Sequence, residues 1–139
     1  MKNTIKILSV ALFVFATACQ GQQTLAFKNE LKNNIEAKKN LYVGKTINYL
    51  LSNISYPVKS YMSSSFTGKT NHVILYFVTN KEVRQKQDSP LVLAIYFTQE
   101  KDIKIIDAML RRNQLKWTNE EKTFFGNLIV KDIYVGGNL

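Results

Sequence analysis

The sequence holds one cysteine, one histidine, one tryptophan and two prolines in 139 residues. A single cysteine cannot close an internal disulfide, so the fold does not rest on one. A single histidine excludes His-based metal clusters and the H-E-x-x-H arrangement, each of which needs more than one. A Ser-His-Asp triad would have to use His72 at the start of a strand-like run, with no nucleophile elbow beside it, so His72 is expected at a strand edge. The phosphate cradle G-x-x-x-x-G-K-[ST] is missing too. GKT occurs at Gly44-Lys45-Thr46 and Gly68-Lys69-Thr70, but the earlier glycine falls on Lys39 and Ser63. Repeats, heptads and low-complexity tracts are absent, and no cofactor is implied.

What the chain does have is the composition of an ordered domain, 45% hydrophobic and 21% charged, with seven tyrosines and eight phenylalanines. Residues 1–18 are expected to be a targeting segment, residues 19–23 a polar tether (QGQQ after Cys19) and residues 24–139 one α+β domain. Removing 18 of 139 residues leaves 121, enough to bury about two-thirds of the unfolded surface without a staple. The formal charge is +9, and losing Lys2 and Lys6 leaves +7. That favours an anionic or acidic partner, although the lysines are spread along the chain as on any solvated basic surface.

Lys2 and Lys6, the apolar run ILSVALFVF and the small residues Ala16-Thr17-Ala18 follow the layout of a secretory signal. The run from Ile7 to Ala18 is 12 residues, short of the roughly 20 that span a bilayer as a helix. Ala16-Thr17-Ala18 before Cys19 suits ordinary signal peptidase, and it resembles the lipobox of bacterial lipoproteins, with Ala16 where that pattern prefers Leu. The resemblance implies a diacylglyceryl group on Cys19 and a domain held at a membrane of the bacterial envelope, in the periplasm or at the cell surface. The alternative is a free N-terminal Cys19 on a secreted protein.

Along the mature chain, Leu25, Phe27, Leu31 and Ile35 predict a helix whose very polar outer face suggests weak packing. Ile47, Leu50, Leu51 and Ile54 predict a second, capped by Thr46 and ended by Tyr56-Pro57. Strands are expected at 58–65, 72–79 and 91–98, the last two covered on both faces because they are continuous β-branched and aromatic runs. Residues 80–90 form a charged connection, 98–102 a turn, and 102–110 a fourth strand on the alternation of Ile103 and Ile105. Thr118 and Glu121 form a capping box that opens a C-terminal helix with Phe124, Phe125, Leu128 and Ile129 inside. KDIYVGGNL is a last short strand or a packed tail. The expected fold is therefore two N-terminal helices, an antiparallel sheet of three to four strands, and a C-terminal helix on the sheet. Two short helices starting near Gly44-Lys45-Thr46 and leading into an antiparallel sheet resemble the small outer-membrane assembly lipoproteins and the β-lactamase-inhibitor-like fold, over residues 41–110.

For chemistry, Arg111, Arg112, Lys116 and Trp117 make a basic-aromatic stretch able to hold an anion or a partner, or simply a solvated loop with Trp117 folded inward. Asp102 with Asp107, or Glu120 with Glu121, are the carboxylates that a glycosidase-type pair would use. Tyr49, Tyr61, Tyr76 and Tyr96 could line a helix–sheet pocket or serve as core. The expectation is a non-catalytic envelope lipoprotein that binds a protein or small ligand, held to the membrane by its lipid, with nucleic acid not expected for an exported chain. Two alternatives stand beside it: a secreted hydrolase using a carboxylate pair, and an inhibitor or immunity-type protein that blocks an acidic partner.

Overall fold

The computed structural model describes residues 25–78 and 90–137. The targeting segment, the tether with Cys19 and residues 80–89 of the charged connection lie outside the described residues. Helix α1 covers 25–36, its last part Leu31–Glu36 widening into π-helical turns. A 3-10 turn at Lys39–Leu41 leads to α2, Ile47–Leu51. Then follow β1 (Ser60–Met62), β2 (Lys69–Tyr76), β3 (Val92–Asp102), α3 (Ile103–Arg112), α4 (Asn119–Gly126) and β4 (Val130–Gly136). The strands form one antiparallel sheet in the order β1-β2-β3-β4. The class is α+β, as expected.

Three local expectations hold. Thr46 caps α2, its Oγ1 accepting the Tyr49 N–H at 3.2 Å. Thr118 and Glu121 form the full capping box of α4. Gly44 has φ +80°, a left-handed conformation that glycine adopts without strain. That turn places the Gly44 N–H on Val130 O at 2.9 Å and the Lys45 carbonyl on Val130 N at 2.8 Å, tying the start of α2 to the start of β4.

Three others fail, each for a physical reason. Residues 103–110 are helical, not strand. Asp102 caps that helix by accepting the Lys104 N–H at 2.8 Å, and Ile106, Met109 and Leu110 recur at helical spacing on its buried side. The Ile103–Ile105 alternation covers three residues only, and Ile105 ends up 52% exposed. The preceding 98–102 is no turn but the end of β3, so the fourth strand is β4. Second, α1 packs firmly. Phe27, Leu31 and Ile35 are all buried, with the Phe27 ring 4.7 Å from Phe77 and 4.2 Å from Tyr56. Each such side chain contributes roughly 2 kcal/mol on burial, and a polar outer face does not weaken that. Third, β2 and β3 are covered on one face, not two. Val73, Leu75, Leu93, Ile95 and Phe97 are buried with the helices' apolar residues in one core, while the residues between them stay half-exposed.

Candidate functional site: an open sheet face and a helical groove

The uncovered face carries three rows of cross-strand partners. Met62, Ile74, Ala94 and Tyr134 form one, Ser60, Tyr76, Val92 and Gly136 a second, and His72, Tyr96 and Asp132 a third. Of these eleven residues only Ser60 is buried, its hydroxyl donating to the Val78 carbonyl. Seven carry apolar or aromatic side chains. Single exposed apolar residues are ordinary on a protein surface, but a contiguous set across four strands is a candidate contact surface. An aromatic ladder crosses it: His72 lies 5.5 Å from Tyr96, and Tyr96 meets Tyr134 edge-on at 5.7 Å.

Two irregularities shape one end of this face. The β2–β3 register shifts between Thr70 and His72, and the β3–β4 register shifts between Tyr96 and Phe97. Such bulges re-aim side chains locally. Here Asn71 and Lys131 fall in the two shifts, and with Tyr96, Asp132 and Tyr134 they line a hollow of about 350 Å³. Asp132 anchors its rim. Its Oδ1 takes the Lys39 ammonium at 2.7 Å and the Ile133 N–H at 2.9 Å, and its Oδ2 takes the Tyr134 hydroxyl at 2.8 Å. The lysine first, then the hydroxyl and amide donors, hold this carboxyl down at about 2, against burial acting weakly the other way. Lys39 also lies 5.2 Å over the Tyr134 ring, a cation–π contact that fixes that ring at the sheet margin.

On the helical side, Ile106, Met109 and Leu110 of α3 face the core, leaving Lys104, Ile105, Ala108, Arg111 and Arg112 toward solvent. Between α3 and α4 runs a groove of about 700 Å³, with Ile105, Ala108, Met109 and Phe124 as apolar lining, and Lys104, Arg112, Glu120 and Thr123 as polar lining. A shallower hollow of about 570 Å³ adjoins it over Asp107 and Arg111.

The basic-aromatic stretch expected from sequence does not come together as one site. Arg111 and Arg112 belong to the last turn of α3, and Arg112 is ion-paired with Glu120. That pairing raises the guanidinium pKa and lowers that of the carboxyl. Lys116 is exposed and bridges to Ser60 at the sheet margin. Trp117 is only 9% exposed, its ring edge-on to Tyr61 at 5.5 Å and stacked on Phe125 at 5.7 Å, so it is part of the core and not of a basic-aromatic site with Arg111 and Arg112.

The carboxylates are similarly occupied. Asp102 caps α3 and Asp107 stands apart on its outer side. Glu121, with no solvent exposure, accepts the Tyr61 hydroxyl at 3.0 Å and the Asn113 amide at 2.7 Å on one oxygen. Its other oxygen accepts the Thr118 N–H at 2.8 Å and the Thr118 hydroxyl at 2.5 Å. Burial works to raise its pKa, but the Thr118 and Asn113 donors outweigh that and hold it below the ordinary value. A general acid needs the opposite shift. Tyr61 is pushed far upward by burial and by Glu121. Of the four tyrosines weighed for a pocket, Tyr61 alone lies between helices and sheet; Tyr49 is exposed, and Tyr76 and Tyr96 line the open face.

Sequence reasoning missed the apolar half of the groove because 102–110 was read as a strand. It also missed the Lys39–Asp132 pair, 93 residues apart, for which no local signal exists. Among the described residues, no helix is long and apolar enough to cross a membrane, and no group of three His, Cys, Asp or Glu is placed to hold a metal. Compared with protein-family models, curated proteins and solved structures, the chain matches none.

Proposed function

We propose that this protein is a non-catalytic lipoprotein of the bacterial envelope, anchored through a diacylglyceryl thioether on Cys19, whose domain binds an envelope protein through the open sheet face. The observation that carries the reading is the continuous apolar and aromatic surface from Met62 across Ile74, Ala94 and Tyr96 to Tyr134. Residues with these side chains leave water favourably, at about 25 cal/mol per Å² of apolar surface, and Met62 and Tyr134 are each about half exposed. Lys39 and Lys131 at the margin favour an acidic partner over a basic one, through faster encounter and correct orientation. The hydrolase reading has less behind it, because Glu120 and Glu121 are each committed to structural partners.

Affinity capture from native bacterial membranes, read by mass spectrometry, tests the proposal on the full chain. Wild type should fractionate with membranes, take up labelled palmitate and recover a discrete envelope protein. Cys19→Ser should lose the label, and Ile74→Lys should keep the label but lose the captured protein. A wild-type chain that is unlabelled, soluble and recovers no envelope protein would overturn the reading.

A further inference from the structure

We propose that the groove between α3 and α4 binds one single-chain anionic amphiphile, its alkyl chain along Ile105, Ala108, Met109 and Phe124 and its head at Lys104 and Lys101. This site lies on the helical layer, opposite the open sheet face, and stands independently of the function proposed above.

The groove has the size of a small-ligand cleft: about 700 Å³ against a usual range of roughly 300–1,000 Å³. Its lining matches one chemistry. Ile105, Ala108 and Met109 fall at i, i+3 and i+4 on α3, a continuous apolar strip, and Phe124 of α4 is the facing wall. From Ile105 to Met109 the apolar strip rises by about 6 Å, and Arg112 closes it about 5 Å further on, at roughly 1.5 Å per residue. Ile105, 52% exposed, is held in water on a well-formed helix, where burial by a ligand would be favourable.

Charge fixes the direction of the ligand. At one end, Arg112 and Glu120 pair across the groove and neutralise each other, joining α3 to α4. At the other end stands Lys104, and Lys101, outside the lining itself, has its Nζ 5.6 Å over the Phe124 ring. Neither lysine belongs to the ion pairs found among the described residues, which are Lys32–Glu36, Lys39–Asp132 and Arg112–Glu120. An anionic head placed there completes both charges while the chain extends toward the closed end.

The test uses decyl phosphate, kept below its micellar concentration, with decyl maltoside and inorganic phosphate as comparisons, titrated into the full chain by calorimetry and amide chemical shifts. Decyl phosphate should bind saturably at one site and shift the Ile105 and Phe124 amides, with decyl maltoside at least tenfold weaker and inorganic phosphate without saturation. Ala108→Trp, which fills the groove from an exposed position, should weaken decyl phosphate at least tenfold. Lys104→Glu should do the same while leaving the fold intact, since a negative charge near the start of α3 suits the helix. Tyr134→Ala, on the sheet face, should leave binding unchanged. Equal affinity for the two decyl compounds would overturn the assignment, as would unchanged binding by Ala108→Trp and Lys104→Glu. So would binding to phosphatidylglycerol vesicles, or to an acidic amphipathic peptide, without any to monomeric decyl phosphate.

Discussion

The Glu36 carboxylate accepts the backbone N–H of Val135 at 2.7 Å, across 99 residues of chain. Beside it the Lys32 ammonium donates to the Val135 carbonyl at 2.8 Å and to Glu36 at 2.9 Å. Two side chains of α1 thus occupy the backbone groups that a further strand would use on the free edge of β4. An unprotected edge invites pairing with another chain. Glu36→Ala should therefore cost about 1 kcal/mol of stability and cause concentration-dependent self-association in sedimentation velocity. A variant that stays monomeric at all concentrations would show that the edge is guarded by something else.

The Tyr61–Glu121 pair gives a graded prediction. Tyr61→Phe removes one of four donors and should cost about 1 kcal/mol in urea denaturation. Glu121→Gln turns one carboxylate oxygen into a donor facing other donors in a site without water, and should cost about 3 kcal/mol. If both substitutions cost the same, the buried charge is not what the network holds.

Asp132 carries a pH-dependent contribution with a definite sign. Its folded value, about 2, lies below the unfolded value, which is roughly 4. The stabilisation is complete above the unfolded value and disappears as pH falls through the folded one. Comparing wild type with Asp132→Asn, the difference in denaturant midpoint should be present at neutral pH and close between about pH 4 and pH 2. A difference that stays constant over that window would contradict the pairing with Lys39.

Two glycines with positive φ should respond differently to alanine. Gly137, at φ +88°, would place a Cβ on the Pro90 carbonyl oxygen, whereas Gly44, at φ +80°, has open space around that position. Gly44→Ala should cost only the left-handed backbone, about 1 kcal/mol. Gly137→Ala should cost clearly more, at least about 2 kcal/mol. Equal shifts in melting temperature would contradict the close approach of residues 90 and 137.

Much of the fold was legible because its signals are local. The caps at Thr46 and Thr118 need only a hydroxyl at the right offset, and the β-branched runs of β2 and β3 announce themselves. What failed was decided by competition over distance. At 102–110, the alternation of Ile103 and Ile105 covers three residues, while the helical set Ile106, Met109 and Leu110 has an inward direction that only the core specifies. The one-sided covering of the sheet was hidden because Ile74, Val92 and Ala94 are as apolar as their buried neighbours. The candidate sites were legible only in pieces. Arg112 stands out for its charge, which Glu120 neutralises, while Tyr96 and Tyr134 meet as diagonal neighbours across β3 and β4, a pairing with no local signal.

Photo-crosslinking in intact bacteria, with a benzoylphenylalanine replacing either Tyr134 on the open sheet face or Tyr49 on the helical side, tests whether that face meets an envelope partner. A discrete adduct with an envelope protein is expected from position 134, lost when Ile74→Lys is added, and none from position 49. No adduct at 134, or the same adduct from both positions, would contradict it.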